Sequence, residues 1–272
     1  MSPAWLVAVT RRYPLNRGRD FFFRNFVRGC PLQAKLATLP NPQLTRRGFP
    51  VFCNSQDVTS DWIKLWGEHE RITEEFLMAS LANGGTFLDL GANIGYFSLL
   101  VGHEYGDRCR VVAFEPNPPI FALLQAGVER SRGAKIIQTV SAAVSDQAGQ
   151  LEFMVDGENT GHSHLTGNAE KGQGVTVDVV TLDGWLSQHP LPSKIAAIKL
   201  DVEGCELRAL RGMEQTLRQH RPALVVEVVD EHLRNYGGSR SDLFGFLEQV
   251  GYATNRGILA DQNLYLSAPA PG

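Results

Sequence analysis

The chain has 272 residues, 43% of them hydrophobic, enough to bury a full core as one domain with an elaborated end. A formal net charge of −3 singles out no partner, and no apolar run approaches the length of a bilayer span, so a soluble protein is expected. Cys30, Cys53, Cys109 and Cys205 are dispersed with no Cys-x-x-Cys pair, which excludes a legible disulfide framework or zinc site and points to free thiols in a reducing cytoplasm.

Charge is unevenly spread. Residues 1–50 carry Arg11, Arg12, Arg17, Arg19, Arg24, Arg28, Lys35, Arg46 and Arg47 against Asp20 alone, which suggests an anionic partner or surface at this end. The apolar run Trp5–Val9 is too short to span a membrane, and basic residues follow it rather than precede it, unlike a secretory signal. Between Gly18 and Gly29, Phe22, Phe23, Phe26 and Val27 fall on one helical stripe. Two readings stand: an interfacial helix touching a membrane, or a short helix packing its aromatics onto the main domain. Residues 32–50 read as an extended connection. Residues 1–58 are therefore expected to form a basic, aromatic extension, 59–268 the main domain and 269–272 a tail.

A helical region is expected from the cluster Thr59-Ser60-Asp61, bending near Gly67, resuming at Glu70 and ending at Asn83-Gly84-Gly85. Strands and helices then alternate. Strand 87–90 leads to helix 94–104, and strand 110–114 to helix 118–131. A strand over 135–144 precedes a turn at Ser145–Gly149. Strands 150–155 and 174–180 bracket a polar loop as a hairpin-type insertion. Strand 195–200 leads to helix 204–218, and strand 222–228 to helix 241–250. Residues 252–256 and 263–267 close the chain as an antiparallel pair. Such alternation predicts an α/β fold with a doubly wound, mostly parallel sheet of seven strands.

The segment Phe87-Leu-Asp-Leu-Gly-Ala-Asn-Ile-Gly95-Tyr-Phe-Ser reads as a buried strand, a glycine turn and a helix start. A dinucleotide fingerprint wants glycine at its first, third and sixth positions. Counted from Gly91, those positions hold Gly91, Asn93 and Tyr96, so two of the three fail. Asp89 beside the turn would repel a pyrophosphate but attract a sulfonium or an ammonium. The next strand, Val111-Val-Ala-Phe-Glu-Pro-Asn117, ends in Glu115, an acid about 20 residues past the turn and suited to ribose hydroxyls. This pattern resembles the class I S-adenosylmethionine-dependent methyltransferases, with a Rossmann-like sheet. With Ile198-Lys-Leu-Asp-Val-Glu-Gly204 and Arg221-Pro-Ala-Leu-Val-Val-Glu-Val228 it resembles the FkbM-type methyltransferases over roughly residues 50–268. The resemblance implies transfer of a methyl group from S-adenosylmethionine, with S-adenosylhomocysteine as product, to a hydroxyl of a sugar or natural product.

Ligands of doubly wound sheets bind at the carboxyl ends of strands, so Asp89, Glu115, Asp201, Glu203 and Glu227 should share one rim. Around the cofactor, Gly91, Asn93 and Gly95 are expected to face methionine and ribose, with Asp89 near the ammonium and Glu115 on the ribose. Pro116 and Asn117 flank the adenine, Ala143 walls it and Asp146 meets its amine. The catalytic candidates are Asp201 as base, with Glu203 and Glu227 as alternates, and Lys199 either orienting Asp201 or stabilising a developing alkoxide. The same Asp201, Glu203 and Glu227 could instead chelate Mg²⁺, while Glu203 could merely cap the following helix. His162 and His164 lie in a polar loop that could fold over the cleft, and His69 and His232 are further candidates. The resemblance also makes Glu70, Asn159 and Thr160 cleft residues. Partners are expected to be a small-molecule, glycan or carrier-linked acceptor. A nucleic-acid methyltransferase and a non-catalytic partner protein of the same fold are the rival readings, the first resting on the basic N-terminal segment.

Overall fold

The computed structural model describes residues 7, 10–11, 19–27, 29–54, 57–154, 164–165 and 174–268. Its strands in chain order are β1 (Gln43–Leu44), β2 (Pro50–Val51), β3 (Gly85–Leu90), β4 (Cys109–Phe114), β5 (Ile137–Val140), β6 (Ala143–Val144), β7 (Gly149–Met154), β8 (His164–Leu165), β9 (Gly174–Val180), β10 (Ile195–Leu200), β11 (Ala223–Glu227), β12 (Ile258–Ala260) and β13 (Asn263–Leu266). The main sheet has seven strands in the order β12-β13-β11-β10-β3-β4-β5. Its β11-β10-β3-β4-β5 portion is parallel throughout, and β13 runs antiparallel to both β11 and β12. The helices Tyr96–Tyr105 and Pro118–Arg130 make the first two crossovers, as right-handed β-α-β connection requires.

Alternation along the strands explains why both faces are covered. Phe87, Val111, Ala113, Ala197, Val225 and Tyr265 enter one core with Leu77, Leu99 and Leu124, while Leu88, Val112, Phe114, Ile198, Leu224 and Leu266 enter the other with Leu210, Leu217 and Leu243. No helix among the described residues is long and apolar enough to cross a membrane.

Several boundaries differ from the sequence expectation. The predicted strand 135–144 divides: β5 stays in the main sheet, whereas β6 joins a second sheet ordered β6-β9-β7-β8, so the insertion is four-stranded rather than a hairpin. The predicted helix 204–218 is two helices, Glu206–Arg211 and Glu214–His220. A Cβ on Gly212 between them would lie 2.0 Å from the Ser145 carbonyl oxygen, so the chain leaves the first helix where another backbone crosses it. Asp183 then caps the second helix by accepting from the Gln215 and Thr216 N–H groups, 2.9 Å each. Residues 252–256 are not a strand: Thr254–Arg256 is a 3₁₀ turn, and β12 is the partner of β13. The helix Val58–Trp66 is capped by Asp57, whose side chain accepts from Ser60 N–H, rather than by the Thr59–Asp61 cluster.

Three of the four stripe residues, Phe22, Phe23 and Val27, follow the packing reading and Phe26 does not. Phe23 and Val27 bury against Leu36, Leu65 and Trp66, leaving Phe21 and Phe26 exposed. The arginines described there make contacts within the chain, Arg46 and Arg47 from exposed positions. Arg11 donates to the Leu44, Ile63 and Lys64 carbonyls, Arg46 to the Trp66 carbonyl, and Arg47 to Glu74 and Glu104. Arg19 pairs with Glu68. Four of the basic residues that suggested an anionic partner thus meet carbonyls at a helix C-terminus and acids of the same chain.

Candidate active site

Leu90 stands opposite Phe114 on one side and Leu200 on the other, and Leu200 opposite Val226, so the four central strands end level. Gly91, Glu115, Asp201 and Glu227 therefore form one row along the carboxyl rim. The turn after β3 is set by close packing. Gly91 has φ 79°, and a Cβ there would sit 1.8 Å from the Asp201 backbone oxygen. Its N–H and that of Ala92 both donate to the Phe114 carbonyl, at 3.0 and 2.8 Å. Asn93 adopts φ 51° and its side-chain oxygen accepts from Ile94 N–H at 2.7 Å, while Gly95 caps the helix Tyr96–Tyr105.

Glu115 ties two loops together. One carboxylate oxygen accepts from Asn93 N–H and the other from Asn117 N–H, each at 2.9 Å. Burial lifts this carboxyl from 4.5 to about 7, against the pull of those two donors. Pro116 is half-buried and Asn117 buried beside it. Ala143 is buried in β6, and Asp146 sits just past that strand, accepting from the Ser145 hydroxyl at 3.2 Å.

Asp89 is directly opposite Lys199 across β3 and β10, on the face covered by the helix Tyr96–Tyr105. It is completely buried. Ser98 donates to its Oδ2 at 2.6 Å, and its Oδ1 is sealed from solvent without a hydrogen-bond partner. Burial raises its pKa, partly offset by Lys199. Lys199 is 3% exposed, donates to Asp201 Oδ2 at 2.7 Å and lies 5.3 Å from the centre of the Phe97 ring. Burial opposes its charge, but Asp201, Glu70 and Asp89 outweigh that and hold the ammonium above the ordinary lysine range. Its position under Phe97 makes it an anchor for Asp201.

The turn after β10 decides between the readings of Glu203 in one respect. Glu206 caps it: Oε1 accepts from Val202 N–H at 2.9 Å and from Gly204 N–H at 3.1 Å, so Glu203 is not the capping acid. Sequence reasoning passed over Glu206; an acid in the first turn of a helix behind a glycine was the available signal. Glu203 projects from a left-handed residue, φ 53°, beside Glu227, with His232 Nδ1 3.9 Å from a carboxylate oxygen of each. Burial, then Asp201 and Glu227, push Glu203 up to about 9, and Glu227 is raised by burial and Asp201. Glu227 in turn lifts His232. Among the described residues, ligand atoms of Glu203, Glu227 and His232 lie within 4.8 Å of one another, whereas one oxygen of Asp201 is held by Lys199.

Above the rim, Glu70 caps the helix Arg71–Ser80 from a left-handed φ of 42° and accepts from Thr73 and Asn263, while His69 packs against the Tyr96 and Phe97 rings with Nε2 3.5 Å from Glu70 Oε1. Glu70 acts on the Lys199 charge, so it belongs to this same cluster. Asn159, Thr160 and His162 lie outside the described residues. His164 is described only as a strand residue of β8, opposite Met154.

A family model described as the Methyltransferase FkbM domain matches residues 89–253, more than half of the chain and the whole of this rim. The chain belongs to the FkbM methyltransferase family. It is a methyltransferase with the Rossmann-like α/β fold of class I enzymes. Its relatives include the 31-O-demethyl-FK506 methyltransferase FkbM of Streptomyces tacrolimicus, 30% identical over 179 residues, with 55% of this chain and 67% of that one covered. The hexuronic acid methyltransferase AglP of Haloferax volcanii is 26% identical over 187 residues, covering 68% and 73%. Among solved structures, a Methyltransferase FkbM from Methylobacillus flagellatus KT superposes with a TM-score of 0.48 at 18% identity. That match covers 68% of this chain and 44% of the other, less than half its length.

Proposed function

We propose that this methyltransferase takes its methyl group from S-adenosylmethionine and delivers it to a hydroxyl oxygen of a small-molecule, sugar or carrier-linked natural-product acceptor, acting in the cytoplasm. The reading rests above all on Glu115. A carboxylate has about four acceptor positions. The Asn93 and Asn117 N–H groups use one on each oxygen, which leaves two for the paired hydroxyls of a ribose. Asp89 fits the same ligand as a buried acid just behind the glycine turn, whose charge would favour an ammonium at the cationic end. Gly91, Asn93, Gly95, Pro116, Asn117, Ala143 and Asp146 would complete the cradle. The relatives favour oxygen as the acceptor atom, since one is named for a 31-O-demethyl substrate and the other for a hexuronic acid.

When bound, the sulfonium supplies an activated methyl group. The chain's residues do the rest: they align the acceptor, a contribution that reaches roughly 7–11 kcal/mol in well-oriented reactions, and take its proton. Asp201 is the base in this reading, held by Lys199 through one oxygen so that the other stands outside the ion pair. Glu203 and Glu227 stand beside it as alternates. Glu70 and the loop carrying Asn159, His162 and His164 are the residues proposed for acceptor contact. Against a nucleic-acid acceptor, Arg11, Arg19, Arg46 and Arg47 of the basic segment already make contacts within the protein. Calorimetry with S-adenosylhomocysteine tests the cofactor, with one site per folded chain expected. Absence of binding by folded protein would remove the proposal, and would favour the non-catalytic reading. A labelled-methyl assay over hydroxylated sugars and macrocycles tests the acceptor; transfer to nitrogen alone would refute O-methylation.

A further inference from the structure

We infer that Glu203, Glu227 and His232 form a binding site for one divalent first-row transition ion, such as Mn²⁺, Fe²⁺, Co²⁺ or Zn²⁺. The three side chains come from separate elements: the turn after β10, the end of β11 and the helix Asp230–Asn235. Each offers a ligand atom, and these atoms all lie within 4.8 Å of one another.

Two observations set this group apart from a chance meeting of acids. Glu227 Oε2 and His232 Nδ1 are both shut off from solvent and lie 3.9 Å from each other, beyond hydrogen-bond distance. They form a long ion pair with each other, and a cation seated between them and Glu203 would give both atoms a closer partner. The charge points the same way. Asp201, Glu203, Glu206 and Glu227 crowd this end of the rim; of the cationic groups acting on Glu203 and Glu227, Lys199 is ion-paired with Asp201 and His232 stands 3.9 Å from each.

The surrounding backbone holds the three in place. Gly204 has φ 99°, and a Cβ on it would fall 2.6 Å from the His232 carbonyl oxygen, so the turn bearing Glu203 is seated directly on the segment bearing His232. Glu206 takes the Val202 and Gly204 N–H groups and leaves the Glu203 carboxylate uncommitted to the backbone.

An imidazole among the donors selects the class of ion. Mg²⁺ prefers oxygen ligands and retains its water, whereas imidazole suits zinc, iron and their neighbours. Three protein ligands leave at least one position open, as catalytic rather than structural sites do. Asp201 acts on the charges of both Glu203 and Glu227, so a bound ion would stand on the same rim that an oxygen-bearing acceptor would approach; this role, though not the site itself, rests on the function proposed above.

The test uses the full chain, stripped with chelator and titrated with Co²⁺ while the visible ligand-field bands are followed, with Mn²⁺ by calorimetry in parallel. One ion per chain is expected. His232→Ala and Glu203→Gln should each weaken Co²⁺ by at least the roughly 10–100-fold that loss of a mere outer-sphere partner costs. Asp201→Asn should leave Co²⁺ affinity within a few-fold, and circular dichroism should show each variant folded. No Co²⁺ bands, equal binding by all variants, or displacement of Co²⁺ by an equal concentration of Mg²⁺ would overturn the inference. S-adenosylhomocysteine binding to the same stripped protein separates the two claims: if it persists while Co²⁺ fails to bind, the metal site alone is lost.

Discussion

At the scale of single residues, the central feature is a set of carboxyls whose burial makes their charge costly. Glu115 is raised from 4.5 to about 7, so near neutrality it is divided between its two forms. Only the ionised form keeps both oxygens as acceptors for a ribose. Cofactor affinity should therefore rise as pH increases from about 6 to about 8, and Glu115→Gln should flatten that dependence. Glu115→Gln should also weaken S-adenosylhomocysteine about 10- to 100-fold, the worth of a hydrogen bond to a charged group, read by calorimetry. Stability of the ligand-free protein has the opposite sign. Acids whose native pKa lies above the unfolded value favour the native state when protonated. Their contribution is full below about 4.5 and is lost as pH rises through about 7 for Glu115, about 8 for Glu206 and about 9 for Glu203. Melting temperature without ligand should thus fall across that window. For the chemistry, Asp201→Asn should lower kcat by about 10²–10⁴-fold, the usual worth of a positioned base, with cofactor affinity retained. An unchanged kcat would move the role to Glu203 or Glu227.

At the scale of elements, turns rather than helices hold the site together. Gly91→Ala places a methyl group against a backbone oxygen that cannot move independently of β10, at a φ of 79°. The left-handed conformation alone costs roughly 1–2 kcal/mol, and the 1.8 Å approach adds to it. Chemical denaturation should show a loss beyond that range together with loss of cofactor binding. The strand–turn–helix of residues 87–98 was legible because its residues interact locally. The split of the predicted helix 204–218 was not, because its causes, Ser145 and Asp183, are distant in sequence. The same holds for Glu206: its partners are close neighbours, but only the folded turn shows that it, and not Glu203, receives their N–H groups.

At the scale of the whole molecule, two cores sandwich the sheet and the N-terminal segment is bound into one of them. Phe49, Val51 and Cys53 lie in the core that contains Phe87 and Leu99. Phe49→Ala should cost about 3–5 kcal/mol, as for other fully buried aromatics, measured by urea unfolding. A cost near zero would make this segment a detachable appendage. The basic N-terminal stretch also changes meaning at this scale, since Arg11, Arg19, Arg46 and Arg47 find carbonyls and acids of the same chain.

From sequence alone, the α/β alternation, the apolar strands, the glycine turn and the row of acids at the strand ends could be derived, because each depends on residues a few positions apart and on the twofold period of a strand. Tertiary structure decided the rest. It assigned Lys199 to Asp201, joined Glu115 to both flanking loops and gathered His232 with Glu203 and Glu227. Those outcomes depend on which strands lie side by side and how far each extends, and the parallel register that levels the strand ends is fixed only when both cores pack.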